Sequence, residues 1–434
     1  MSAGRCHTRL QDVLQAAGSA RDVFLQITAS RAESEAAHSL QSAGKLAGVA
    51  FAVKDVFDVR GTRTSGGSQL FDHRPPAMAD AAAVARLSAA GGVLVGKTTL
   101  SELAYSGLGV NERFGTPTMR IAGKDHLVGG SSSGSAAAVR AGIVSLALAS
   151  DTSGSTRIPA AWTGVFGFRP TLDRYPRLGM MALARSLDAV GVVAASLALI
   201  NTADEVLADD HTALDPPRSP PPFVVPAHDQ LLSCDPRVTG RFLETIEHLR
   251  QLGLRIHQRP LASLDAVRSM HQRHLPIVEA EALRAFGTYL ALHPDRLGPA
   301  VRSRLESAGR NSHHRSARPL VAAMPSLRAQ FRRELGRCLL LIPPVEIDPP
   351  QLAEAQTIEA QTTLNHRALR LPMIFSYLDA PSLVLPVGQQ GPGSPRCLQV
   401  TGASGHDRRV LHAALHLQSA VPSHPSPSFK GESR

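Results

Sequence analysis

Two short stretches rich in glycine and serine hold the residues best placed to do chemistry. The first, "VGGSSSGSAAAVRAG", begins at Val128, and the second, "SDTSGSTRIPAAWTG", begins at Ser150, so that Ser155 stands 24 positions after Ser131. Such letters can write a flexible tether, a phosphate cradle or the edge of an active site. A tether does not come as a matched pair, and here the two turns are separated by an apolar stretch, "AAAVRAGIVSLALA", that reads as a helix. A serine hydroxyl is a weak nucleophile until a base lies within hydrogen-bond reach, so paired serine turns raise the question of where that base is.

A second glycine motif competes for the phosphate reading. Gly91 to Thr98, "GGVLVGKT", satisfies the spacing of a phosphate-binding loop. That loop needs a strand before its first glycine and a small, turn-forming interior. Here a helix-like "DAAAVARLSAA" precedes it and the interior is Val-Leu-Val, which reads as a strand. Nucleotide binding through Lys97 is therefore the minor alternative. The 18 histidines form no H-E-x-x-H or comparable ligand spacing, the adjacent His313 and His314 included, so neither metal nor cofactor is expected.

Taken together, the two serine turns and a lysine on an upstream strand resemble the amidase signature hydrolases. That family has a Gly-Gly-Ser-Ser-(Gly/Ser)-Gly turn, a helix, and then Asp-Thr-Gly-Gly-Ser-x-Arg-x-Pro. The corresponding residues here are Gly129 to Gly134, Asp151 to Pro159, and Lys54 in "AVKDVFDV", with "GKTTLSELAYSGLG" and "GFRPT" as further matches. The resemblance spans about residues 10 to 418, is strong from 45 to 195 and thin between about 260 and 340.

The resemblance implies a Ser-cisSer-Lys triad: Ser155 attacks an amide carbonyl, Ser131, after a cis peptide bond, relays the proton, and a neutral Lys54 accepts it. Lys54 then returns the proton to the leaving amine, and water hydrolyses the acyl-enzyme. The backbone amides of Thr152, Ser153, Gly154 and Ser155 would form the oxyanion hole. Ser132, Asp151 and Arg157 would support these groups, and Tyr105 and Leu108 would line the acyl pocket. Two departures fall in the nucleophile turn: Ser153 stands where the family has glycine, and Thr156 where it has isoleucine. A neutral lysine requires burial, which penalises the charged form.

The elements that must position these residues follow an α/β alternation. Asp12 to Ala37 has helix-forming composition, and "LAGVAFAVKDVFDV" reads as a buried strand ending near Lys54. "VLVGKTT" is a second strand, "LSELAYSG" a helix, and "FVVP", "CLLLIPPVEIDPP" and "APSLVLPVG" are further strands. Residues 260 to 335 read as mostly helical, broken at Pro276 and Pro294. The implied fold is an α/β/α sandwich around a large mixed, mostly parallel sheet. A single amidase domain spans residues 1–420, with the substrate-pocket helices at about 260–340. "DPPRSPPP" (215–222) is a surface loop, and 421–434 a disordered tail.

The 434 residues are 43% hydrophobic but only 4% aromatic, so Ala, Leu and Val carry the packing. The net charge of +10 comes from scattered arginines without nucleic-acid motifs, and no nucleic-acid partner is expected. The four cysteines, Cys6, Cys234, Cys338 and Cys397, form no C-x-x-C pair. The longest apolar run, Ala189 to Ile200, is too short for a bilayer, which takes roughly 20 residues. The first 20 residues lack the core of a signal peptide. A cytoplasmic enzyme acting on a small amide, with a size that suits a homodimer, is the expectation. The rival readings are an A-type glutaminase subunit of a tRNA-dependent amidotransferase and a non-catalytic module. Arg157-Ile158-Pro159, where that subunit has Arg-Gln-Pro, favours the free amidase.

Overall fold

Large and small side chains alternate in Phe51-Ala52-Val53 and in Leu146-Ala147-Leu148-Ala149, and successive residues of a strand point to opposite faces. The computed structural model describes residues 3–39, 43–210, 220–388 and 393–421. In it Phe51, Val53, Leu146 and Leu148 join one buried cluster, while Ala52, Ala147 and Ala149 join another on the opposite face of the sheet.

The chain opens with α1 (Ala3–Ser19), β1 (Phe24–Ile27) and α2 (Ala29–Ser39), followed by β2 (Ala50–Lys54), α3 (Ala82–Ala89) and β3 (Val93–Thr98). A hairpin of β4 (Thr118–Ile121) and β5 (Lys124–Leu127) leads to α4 (Ser133–Arg140), β6 (Leu146–Asp151), α5 (Arg157–Thr163), β7 (Phe166–Arg169), β8 (Ala189–Ala194) and α6 (Leu197–Ala208). Then come β9 (Phe223–Val225), α7 (Pro236–Gln251), β10 (Ile256–Gln258), and four helices: α8 (Ala262–Arg273), α9 (Ile277–Leu292), α10 (Pro299–Ser312) and α11 (Arg318–Leu335). The chain closes with β11 (Leu339–Ile342), α12 (Ile358–Arg370), α13 (Pro372–Tyr377), β12 (Ser382–Pro386), β13 (Cys397–Thr401) and α14 (Asp407–Ala420).

Eleven strands make one sheet in the order β1-β3-β2-β6-β8-β7-β12-β13-β11-β9-β10. The sheet is mixed and carries helices on both faces. Its parallel pairing runs in two blocks, β3-β2-β6 and β11-β9-β10. Antiparallel ladders join the two blocks. Parallel neighbours occur where a helix returns the chain, as α3 does between β2 and β3. No helix among the described residues is long and apolar enough to cross a membrane.

Three local expectations are corrected. Asp12 to Ala37 is not one helical stretch, because Phe24–Ile27 pairs with β3 as an edge strand. The helix expected from "AAAVRAGIVSLALA" ends at Arg140: Gly142 takes φ +69°, Ile143 N–H closes on Ala138 O at 3.0 Å, and the Leu-Ala alternation beyond becomes β6. "LSELAYSG" forms only the short turn Glu102–Ala104, with Leu103 and Ala104 at φ +54° and +58°, because tertiary hydrogen bonds to the serine turn override its helix propensity. The helical breaks at Pro276 and Pro294 are as expected. Residues 215–219 of the proline-rich loop and 422–434 of the tail lie outside the described residues.

The phosphate-loop spacing has a structural explanation. Val93–Thr98 is a fully buried strand, and Lys97 Nζ lies 2.5 Å from Asp55 Oδ1 while donating to Arg63 O at 2.8 Å and Thr64 Oγ1 at 3.1 Å. Gly96 is small because β1 crosses it: a Cβ there would stand 2.4 Å from Gln26 O. Gly96→Ala is expected to push β1 off the sheet and to lower stability by about 1–3 kcal/mol, read as a lower urea midpoint.

Candidate active site

Lys54 closes β2, and the turn ahead of α5 leaves the C-terminal end of β6, the parallel neighbour of β2. Both therefore reach the same edge of the sheet, where α/β folds place their sites. The turn ahead of α4 is bound to both sides of this edge. Ser101 N–H donates to Ser131 O at 3.1 Å, Gly130 N–H to Gly107 O at 2.8 Å, and Ser132 N–H to Ser155 O at 3.2 Å. The Gly130–Ser131 peptide is cis.

The structure brings Lys54 and Ser131 into contact. Lys54 is wholly buried, and its Nζ donates to Ser131 Oγ at 2.6 Å and to Ser150 Oγ at 2.8 Å. Burial lowers the amine to about 7, against the opposing pull of the Asp151 and Asp188 carboxylates. Ser150 carries no signal of its own in the sequence, although it is the residue just before Asp151 at the end of the strand beside β2. Ser132, expected as a supporting residue, donates to the backbone Ser150 O at 3.3 Å, while the Ser150 hydroxyl bonds Lys54.

Asp151 organises the nucleophile turn. Its carboxylate accepts from Gly154 N–H at 2.7 Å, Thr156 N–H at 3.2 Å, and Arg157 Nε and Nη2 at 3.0 Å each. Burial alone would raise this carboxyl, but Arg157, then Arg169 and the Gly154 amide, bring it down to about 2. Arg157 continues to Pro372 O at 2.9 Å and Ser376 Oγ at 2.7 Å, joining the turn to α13.

This arrangement corrects one expected donor. The Gly154 amide is committed to Asp151, which leaves the amides of Thr152, Ser153 and Ser155 without a protein acceptor among the described residues. The backbone bend falls on Gly154, at φ +122°, rather than on Ser153. Ser153 is thus accommodated, and its Oγ is buried without a hydrogen-bond partner. Thr152 is held by Asp188, missed in the sequence, which accepts from Thr152 Oγ1 at 2.6 Å and from Leu183 and Ala184 N–H at 2.9 and 3.0 Å. Burial pushes the Asp188 carboxyl up to about 6 despite these bonds.

Tyr105 and Leu108 lie in the loop that grips the Ser131 turn, and both are buried. Leu108 packs with Ile158 and Trp162 in the core. The Arg304 guanidinium lies 4.1 Å over the Tyr105 ring, and burial pushes the phenol up to about 12. Among the described residues no three His, Cys, Asp or Glu converge as metal ligands.

The site is thus a Lys54–Ser131 contact at the end of one parallel block of a mixed sheet that carries helices on both faces. The chain belongs to the amidase family, whose model matches residues 5–411 and whose members hydrolyse carbon–nitrogen bonds. It is 30% identical over 395 residues to a 2-amino-5-chloromuconic acid deaminase of Comamonas testosteroni, covering 88% of this chain and 83% of that one. It is also 30% identical over 417 residues to the A-type subunit of the glutamyl-tRNA(Gln) amidotransferase of Thermus thermophilus, covering 89% and 88%. A crystal structure of an amidase superposes with a TM-score of 0.84 at 30% identity, covering 95% of each chain.

Two outcomes follow from the site's electrostatics. Because the folded Lys54 titrates near 7 and the unfolded one near 10.5, the unfolded chain binds more protons between those values. The stability penalty of Lys54 is thus full below about pH 7 and fades as pH rises toward 10.5. Lys54→Met is expected to gain in melting temperature relative to the parent at pH 6 and to lose that advantage by pH 10. Arg157→Met strands the buried Asp151 carboxylate and is expected to lower stability by about 3–5 kcal/mol in chemical denaturation.

Proposed function

We propose that the protein is an amidase in which Ser155 is the nucleophile, Ser131 the proton relay and Lys54 the base, acting on a small carboxylic amide. Ser155 Oγ bonds to the carbonyl carbon while its proton passes to Ser131, whose own proton passes to Lys54. The oxygen that becomes negative is held by the amides of Thr152, Ser153 and Ser155. The C–N bond then breaks, Lys54 returns a proton through Ser131 to the departing nitrogen, and water cleaves the acyl ester by the reverse relay. The products are a carboxylate and ammonia or an amine.

The observation that carries this reading is the buried Lys54 amine, lowered to about 7 and 2.6 Å from Ser131 Oγ. A base is most effective when its pKa lies near the working pH. The backbone bond from Ser132 to Ser155 keeps the relay turn beside the nucleophile turn.

The Thermus relative supports a second reading, a glutaminase subunit that needs a partner chain. Ammonia release from glutamine only after that partner is added would favour it.

A fluorophosphonate probe is expected to label Ser155, and labelling should fall sharply in Ser155→Ala and Lys54→Met, with both variants folded by circular dichroism. Amide turnover should vanish in Ser155→Ala. In the parent, kcat/KM should climb between pH 6 and 8 with an apparent pKa near 7. Undiminished turnover in Ser155→Ala would remove the triad.

A further inference from the structure

Two buried carboxylates flank the nucleophile turn, and only one of them has a cation bonded to it. Asp151 holds the later half of the turn, at Gly154 and Thr156, and is tied to Arg157 at 3.0 Å. Asp188 stands at the other end, where the ladder of β6 and β8 delivers it. Asp151 pairs with Ala189, so the next two residues, Thr152 and Asp188, face each other just beyond the ladder. There Asp188 uses both oxygens: one accepts from Thr152 Oγ1 at 2.6 Å, the other from Leu183 and Ala184 N–H at 2.9 and 3.0 Å. An asparagine could not replace it without loss. Its single oxygen would serve one side, and its amide group would turn N–H toward N–H on the other.

The charged groups around Asp188 leave its carboxylate without a bonded cation. Arg177 reaches only the Asp188 backbone carbonyl, at 3.3 Å, and is paired with Asp173 at 2.7 Å. Arg169 lies 3.5 Å from Asp151 and donates to Leu187 O. Glu281, on α9, is a like charge. Lys54 is the buried amine on which the Asp188 charge acts through space, favouring the ammonium form. Thr152, for its part, carries one of the three turn amides without a protein acceptor among the described residues. Its branched side chain has few rotamers, and turning the residue would break a buried hydrogen bond to a charged group, which is expensive to lose. An oxyanion donor works best when it is held in place before the charge forms.

We propose that Asp188 is a positioning residue of the reaction: through the Thr152 hydroxyl it fixes the Thr152 amide as an oxyanion donor, and its charge favours the ammonium that Lys54 forms. Both effects belong to one step, in which the carbonyl oxygen gains negative charge while Lys54 gains a proton. This inference rests on the amidase reading of Ser155, Ser131 and Lys54 and adds a residue to it.

The test is the second-order rate constant for labelling of Ser155 by the fluorophosphonate probe, followed across the neutral and alkaline range. In the parent it should rise with a midpoint near 7. Thr152→Val removes the hydroxyl and keeps the shape. It should slow labelling about tenfold or more at every pH and leave the midpoint in place. Thr152→Ser keeps the hydroxyl and should recover most of that rate. Asp188→Asn should slow labelling as well, and should also move the midpoint below that of the parent, because the carboxylate favouring the ammonium is gone. A merely structural bond would change the fraction of protein that labels and not the midpoint. Labelling at the parent rate in Thr152→Val, or an unmoved midpoint in folded Asp188→Asn, overturns the inference and leaves the amidase reading standing. If Asp188→Asn does not fold by circular dichroism, the two Thr152 variants decide. If Ser155 of the parent is labelled at no pH, the amidase reading falls and the inference falls with it.

Discussion

The site depends on a buried amine whose contacts are hydroxyls. Two neighbouring strands, β2 and β3, each bring a lysine to the same edge of the sheet, and both lysines are buried. Lys97 meets a carboxylate, Asp55, together with a carbonyl and a hydroxyl, and so serves as a structural cation holding the loop after β2. Among the described residues Lys54 Nζ hydrogen-bonds only Ser131 and Ser150. With no carboxylate in contact to offset desolvation, its proton is loosely held. The same residue type is thus paired with a carboxylate on one strand and left among hydroxyls on the next, where burial lowers it.

That choice depends on Asp151 remaining fully occupied. Asp151 is close enough to act on Lys54 through space, but its oxygens are taken by Arg157 and by the amides of the turn that carries Ser155. The arginine does two jobs: it offsets part of a charge that still favours the ammonium, and it helps Asp151 set the shape of the Ser155 turn. The small-residue face of the sheet makes this crowding feasible. Ala147 and Ala149 on β6 share one cluster with Ala136 and Ala138 of α4 and Ala160 and Ala161 of α5. Both helices can therefore approach closely enough for their leading turns to hydrogen-bond each other.

Much of this was legible in the sequence because it is local. Lys54 at a strand end, two serine turns each leading into a helix, and the proline breaks among the later helices follow from spacing and from residue type. What was not legible depends on distant partners. "LSELAYSG" has helical letters, but Ser101 and Gly107 are bonded to the Ser131 turn, and the chain bends through Leu103 and Ala104 instead. β1 became a strand because Gly96 leaves room for it against β3. Ser150 and Asp188 matter through one hydrogen bond each to a group far away in sequence. Gly154 stood among the expected oxyanion donors because a sequence cannot say that its amide donates to Asp151.

The same reasoning explains why the setting of Arg304 and Glu279 was not legible. In α10, Arg302 and Glu306 pair on the surface at helical spacing, and Arg304 between them reads as one more charge on a solvated face. Helical geometry turns it about 200° from Arg302, toward α9 and the Tyr105 loop, where it stacks on an aromatic ring with a donor unmet. Glu279 likewise reads as a favourable acid in the first turn of a helix. Only the packing of the two helices against the loop shows that Arg304 Nη1 and Glu279 Oε2 are sealed from solvent without a hydrogen-bond partner. The turns around Lys54, Ser131 and Ser155 are recognisable from local spacing, whereas the meaning of a single charge on an amphipathic helix depends on which way the helix turns it.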